Sequence, residues 1–241
     1  MHRMLKRLVI LVVTAGVPAA VGVGVVVLVA LMRGEEVPFI PIVNDGGEQE
    51  DLAVDWARYV SGVESPGELA ALIANPNEKW GASSYAYTFV VRGGGNEEHI
   101  SGTSYILAGE KRLIVEPRRT FSFHVEEVRL EVGGHVWDTL GNVVAPRLTV
   151  RNVITEGAGG IQRASAIIRN ESLYGLRTID VAVVLYNEVG EIVGVNTTNI
   201  QTVRPQEERE APVFWPGVIA GATRVEFFVS TNALNSDNLI R

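Results

Sequence analysis

Two stretches of this chain are punctuated in the same places, and that recurrence limits what it can fold into. Asn75 and Asn170 each close an apolar run, about 95 positions apart. Phe89 and Val183 open comparable runs about 94 apart, and Gly109 and Pro205, about 96 apart, occupy the turns after Leu107 and Val203. A near-constant offset over several landmarks is the mark of internal duplication. Two copies are too few for a solenoid, but each copy, at about 90 residues, is long enough to build its own core.

The second copy is the clearer one. Residues 147–153 alternate apolar and polar positions, residues 161–169 form the next strand, and Asn170-Glu171-Ser172 breaks it. Residues 178–186 are the central strand, Asn187-Glu188-Val189-Gly190 a turn, and residues 191–196 the hairpin partner. Strands follow up to Val203, over 211–215 and over 224–230. About seven short strands with turn signals every ten residues or so is the pattern of an Ig-like sandwich.

The first copy is more ambiguous. Residues 52–63, with Trp56 and Tyr59, suit a short helix or an edge strand, and residues 68–74 suit either state, because periodicity does not separate short buried runs. Asn75-Pro76-Asn77 stops that run, since the residue before proline is pushed out of the α region. Residues 84–91 have the aromatic and β-branched composition of a strand. Gly93-Gly94-Gly95-Asn96 turns the chain, and strands are expected over 99–107, 112–116 and 121–132, the last ended by Gly133-Gly134.

These residues carry a family resemblance. Ile167-Ile168-Arg169-Asn170-Glu171-Ser172, the run Val183 to Val193 containing Leu185-Tyr186-Asn187 and Gly190, and Val203-Arg204-Pro205-Gln206-Glu207 together resemble the FxLYD domain of bacterial extracytoplasmic proteins. Val183 stands for the motif's Phe and Asn187 for its Asp, while Leu185, Tyr186 and Gly190 match. In the first copy Phe89 and Val91 match, but Arg92, Gly93 and Asn96 depart from the pattern. The resemblance covers most of residues 52–231. It implies an Ig-like sandwich on the outer side of a bacterial membrane and brings no catalytic or ligand-binding residues with it.

Ahead of the copies, residues 8–32 form an apolar run without a charge. About 25 residues at 1.5 Å each give roughly 37 Å of helix, enough to span a hydrocarbon core of about 30 Å. Arg3, Lys6 and Arg7 precede the run, and Glu35 and Glu36 follow Arg33, so the positive-inside rule leaves residues 1–7 in the cytoplasm and the rest outside. The alternative is a signal peptide cut near Ala20, which puts Pro18 where a small residue is wanted. Gly16, Ala20 and Gly24 recur every fourth residue, the spacing that lets two membrane helices approach and form a homodimer. A linker over 33–51 carries Pro38, Pro41 and an apolar stretch containing Phe39 and Ile40, a candidate contact for a protein partner.

The expected architecture is thus mainly β: a transmembrane helix, a linker, sandwiches over 52–134 and 146–231, and a tail over 232–241. A net charge of −7 gives no footprint for nucleic acid, and the absence of cysteine removes disulfides and thiolate chemistry. His2, His99, His124 and His135 have no metal-site spacing, the glycine run at 93–95 lacks the Lys of a P-loop, and adjacent acidic pairs on strands point to opposite faces. No cofactor and no enzyme activity is expected. The expected role is a membrane-anchored cell-envelope protein that binds another protein or envelope component or acts as a spacer, or else a subunit of a larger membrane assembly. Trp80, flanked by loop residues, is the candidate exposed aromatic anchor for a partner. Function is expected where the copies differ, at 77–84, 93–98, 172–177 and 187–191.

Overall fold

The computed structural model describes residues 49–61 and 66–240. The apolar run with Gly16, Ala20 and Gly24, and the linker stretch with Phe39 and Ile40, lie outside the described residues. No helix among the described residues is long and apolar enough to cross a membrane. What is described is mainly β, and its named strand pairs are antiparallel.

The first half supplies β1 (Ala53–Val60), β2 (Gly67–Ala74), β3 (Gly81–Gly93), β4 (Asn96–Ile106), β5 (Lys111–Arg119) and β6 (Glu127–Asp138). They form two sheets, ordered β1-β2-β5 and β4-β3-β6. The second half supplies β7 (Leu148–Ala158), β8 (Ile161–Asn170), β9 (Gly175–Tyr186), β10 (Ile192–Val203), β11 (Glu208–Pro216) and β12 (Arg224–Ser230). These pair as β7-β8-β11 and β10-β9-β12, the same strand order as in the first half. The ambiguous segments at 52–63 and 68–74 are both strands.

Each half closes as a sandwich over its own core. Leu69, Ala71, Ile73 and Ile114 of one sheet meet Tyr85, Phe89, Val91, Ile100 and Ile106 of the other. In the second half Ala164, Ala166 and Ile168 meet Ile179, Val181, Val183 and Leu185, with Trp215 closing the end. The Trp215 indole N–H donates to the Val195 carbonyl at 2.9 Å.

A third apolar layer lies between the sandwiches. Val60, Ala70, Leu72 and Leu113 on the outer face of β1-β2-β5 pack against Ala182, Val184 and Val195 on the outer face of β10-β9-β12. Those two sheets are therefore covered on both sides, which explains why residues 69–74 and 181–185 read as unbroken apolar runs instead of alternating. β5 meets β9, β10 and β12, and β10 meets β1, β2 and β5, so the facing strands cross instead of running side by side.

A buried asparagine closes the same corner of each sandwich. The Asn75 Nδ2 donates to the carbonyls of Trp80 (2.7 Å) and Leu107 (2.9 Å), and its Oδ1 accepts from the Asn77 N–H (3.0 Å). The Asn170 Nδ2 donates to the carbonyls of Tyr174 (2.9 Å) and Arg204 (3.2 Å), and its Oδ1 accepts from the Ser172 N–H (3.0 Å). Beside each asparagine a glutamate caps a turn: Glu110 accepts from the Leu107 N–H at 2.6 Å and Glu207 from the Arg204 N–H at 2.7 Å. That geometry makes Gln206 the counterpart of Gly109, one position beyond Pro205, and both have positive φ, 62° and 65°.

Other boundaries also differ from expectation. Gly133-Gly134 does not end a strand; β6 begins at Glu127 and runs through it to Asp138. Gly134, at φ 60°, lies where two β6 residues, Gly134 and His135, oppose Tyr85 of β3, a bulge that keeps the pairing going. β5 continues past Pro117, tolerated because β5 is an edge strand, with Arg118 at φ 57° in the accompanying register shift. Past the expected end of the second sandwich, Leu239–Ile240 forms β13 on β9, behind a short 3₁₀ turn at Ser236–Asn238.

Asn170→Ala should lower unfolding free energy by about 3 kcal/mol, because it leaves buried backbone groups without partners; urea denaturation of the detergent-solubilised chain measures it. A second test concerns Glu68, on the shared-layer side of β2. Burial pushes its carboxyl up to about 7, against an opposing backbone hydrogen bond. The folded chain then holds this proton more tightly than the unfolded one, so stability falls as pH rises from the ordinary carboxylate range to about 7. Glu68→Gln should raise Tm at pH 8 and leave it unchanged at pH 4.

Candidate functional site at the sandwich junction

At one margin of the shared layer, a polar cluster joins the two halves. The Arg112 side chain, only 12% exposed, donates through Nη2 to Asp180 Oδ2 at 2.8 Å and through Nε to Ser104 Oγ at 3.1 Å. Its guanidinium lies 3.8 Å above the Tyr105 ring, and the Tyr105 hydroxyl donates to the same Asp180 oxygen at 2.7 Å. The Ser230 hydroxyl, at the end of β12, donates to Glu110 across the junction. β4, β5 and the turn between them thus supply one side of the cluster, and β9 and β12 the other.

The electrostatics follow from burial. Removal from water pushes the Glu110 carboxyl above the ordinary range, only partly offset by Ser230, the Leu107 N–H and Arg112. Burial works against the Arg112 cation, but Tyr105, Asp180 and Glu110 outweigh it and leave its pKa raised. Burial also raises Tyr105, and it pushes Tyr85 up to about 12. The Tyr85 hydroxyl is close enough to Ser104 to feel it, but no partner meets it with hydrogen-bond geometry.

The two copies use the same turn differently. Glu110-Lys111-Arg112 and Glu207-Glu208-Arg209 occupy equivalent places. In the second copy Arg209 Nε donates to its own Glu207 at 2.7 Å, and the Arg204 N–H, followed by Arg209, draws the Glu207 pKa down. In the first copy Arg112 is turned to Asp180 and Glu110 to Ser230, both on the other sandwich.

Three clefts adjoin this cluster. One, of about 400 Å³, borders Glu110 and Ser230 and is walled by Glu78, Lys79 and Gly81. A second, of about 350 Å³, borders Arg112 and Asp180. A third, of about 270 Å³, borders Tyr105 and Asp180 with Arg177. Arg112 and Asp180 are engaged with each other, and Glu110 with Ser230 and the Leu107 N–H. Among the described residues, no group of three or more His, Asp or Glu side chains is placed to hold a metal ion.

Trp80 is half-buried, like Trp56 and Trp137, and does not stand out as an exposed anchor; its carbonyl serves Asn75. Of the stretches where the copies differ, those at 77–84 and 172–177 reach the junction clefts through Glu78, Lys79, Gly81 and Arg177. Those at 93–98 and 187–191 are closed hairpin turns elsewhere, the second held by Asn187 Oδ1 accepting from the Val189 and Glu191 N–H groups. His99 pairs with Glu97, and His135 stacks on Trp137 at 5.0 Å. Sequence reasoning missed Arg112, Asp180, Tyr105, Glu110 and Ser230. Signals existed for three of them: the Glu-x-Arg repeated in both copies for Glu110 and Arg112, and for Asp180 its being the one charge between Thr178 and Tyr186.

No family model and no curated protein matches this chain. Among solved structures, the crystal structure of red sea bream transglutaminase aligns at 12% identity over 78% of this chain and 30% of that one, with a TM-score of 0.23. The chain thus spans under a third of that protein's length.

Asp180→Ala should leave the largely buried Arg112 cation without its counter-charge; with Asp180 itself 42% exposed, the cost in urea denaturation should be about 1–3 kcal/mol. Pairing Arg112→Met with Asp180→Leu should recover most of that loss, since apolar groups of similar volume replace the ion pair without a stranded charge.

Proposed function

We propose that this chain is a non-catalytic, single-pass protein of a bacterial cell envelope. Its two sandwiches, Ig-like and of the FxLYD kind, stand outside the membrane and bind a protein or another envelope component. The observation that carries this reading is the shared apolar layer between the inner sheets. It joins the sandwiches into one unit, suited to holding a binding surface at a set position. The basic-flanked apolar run over 8–32 supplies the anchor, and Gly16, Ala20 and Gly24 offer it a face for pairing with a second copy.

Expression of the full chain in bacteria tests the topology. It should stay with the membrane through alkaline carbonate extraction, and protease added to intact spheroplasts should remove everything beyond about residue 48. Release by carbonate, or protection of the sandwiches until lysis, would overturn the reading.

A further inference from the structure

The 350 Å³ cleft is lined by four consecutive β5 residues, Arg112, Leu113, Ile114 and Val115. β5 ends the sheet β1-β2-β5, and among the described residues no strand pairs with its outer edge. In an antiparallel pair alternate residues aim their N–H and C=O groups away from the partner, so two of these four present unpaired backbone groups to the groove.

Several other sheet edges are interrupted, although β12, regular over Arg224–Ser230, is not. Pro212 and Pro216 lie in the edge strand β11, a bulge breaks β7 between Arg151 and Ile154, another breaks β10 between Ile192 and Gly194, and Gly134 bulges β6. β5 is itself interrupted at Pro117 and Arg118, but from Lys111 to Glu116 its pairing with β2 is regular. Thr197, Thr198 and Asn199 of β10 line the same groove.

We propose that this groove takes a single extended peptide segment of a partner protein, added to β5 as a fourth strand of its sheet. At about 3.3 Å per residue, four β5 residues offer about 13 Å of edge. Backbone hydrogen bonds supply the affinity, and side chains alternate between Tyr87 and Ser104 on one side and Thr197 and Phe228 on the other. Arg112 and Asp180 neutralise each other at the floor, so the groove selects uncharged segments with small polar and β-branched side chains. The proposal deepens the binding role proposed above and rests on it.

The test uses the detergent-solubilised full chain and a capped octapeptide of alternating Thr and Val, read by amide hydrogen exchange. The peptide should slow exchange within residues 112–115 by about tenfold or more. The same peptide N-methylated at every amide should give no protection, and Thr197→Trp, which fills the groove from an exposed position opposite Ala182 of the shared layer, should abolish the effect. No protection at about 1 mM peptide, equal protection by the methylated peptide, or undiminished protection in Thr197→Trp would each overturn the proposal. If Thr197→Trp unfolds the chain, Asn199→Arg, at an exposed position on the same face of β10, replaces it with the same expectation. None of these results bears on the carbonate and protease experiment, so the membrane reading stands or falls separately.

Discussion

The burial of a second face on β2 and on β9 is the constraint from which the rest of the described structure follows. Ala70, Leu72 and Leu113 on one sheet and Ala182, Val184 and Val195 on the other have no place in either sandwich core and are removed from water only against each other. At about 1.5–3 kcal/mol for each larger aliphatic side chain, this layer far outweighs any surface ion pair, worth under about 1 kcal/mol. It makes the two halves one body and places β5 across the strands of the other sandwich.

The polar cluster at the margin of that layer has a different role. Its ion pair joins a largely buried Arg112 to a partly exposed Asp180 and gains little net stability, because desolvation of the guanidinium offsets the attraction. What it adds is register: Arg112 has its charge met by Asp180 only when the sheets cross at the right place. The second copy shows the same Glu-x-Arg turn without a neighbour, where Arg209 closes on Glu207. One local device therefore has two outcomes, and the presence of an opposing sheet selects between them. The clefts, and the open edge of β5 in one of them, lie beside this junction.

Much of the fold was legible in the sequence. The offset between Asn75 and Asn170 identified two residues with the same hydrogen-bonding duty, because a buried side-chain amide serving three backbone groups is hard to replace. Turn residues marked most strand ends. Gly133-Gly134 misled because glycine permits a positive φ both in a turn and in a bulge, and only the opposing strand decides between them. Residues 68–74 were ambiguous for a related reason: a strand covered on both faces loses the alternation by which strands are recognised. The candidate site was less legible. Arg112 and Asp180 are 68 residues apart and belong to different sandwiches, so nothing local to either names the other.

By itself, the sequence determined a mainly β chain with two like halves, their turn-closed strands and their alternating core positions. Those properties depend on side-chain period and local backbone preference, which act within a few residues. Which faces of the inner sheets meet, where Arg112 finds its counter-charge, and which strand edge stays open beside a groove were decided only in the tertiary structure. Each depends on the relative placement of two separately folded sheets, and that placement is set by long-range burial and charge pairing that no single segment carries.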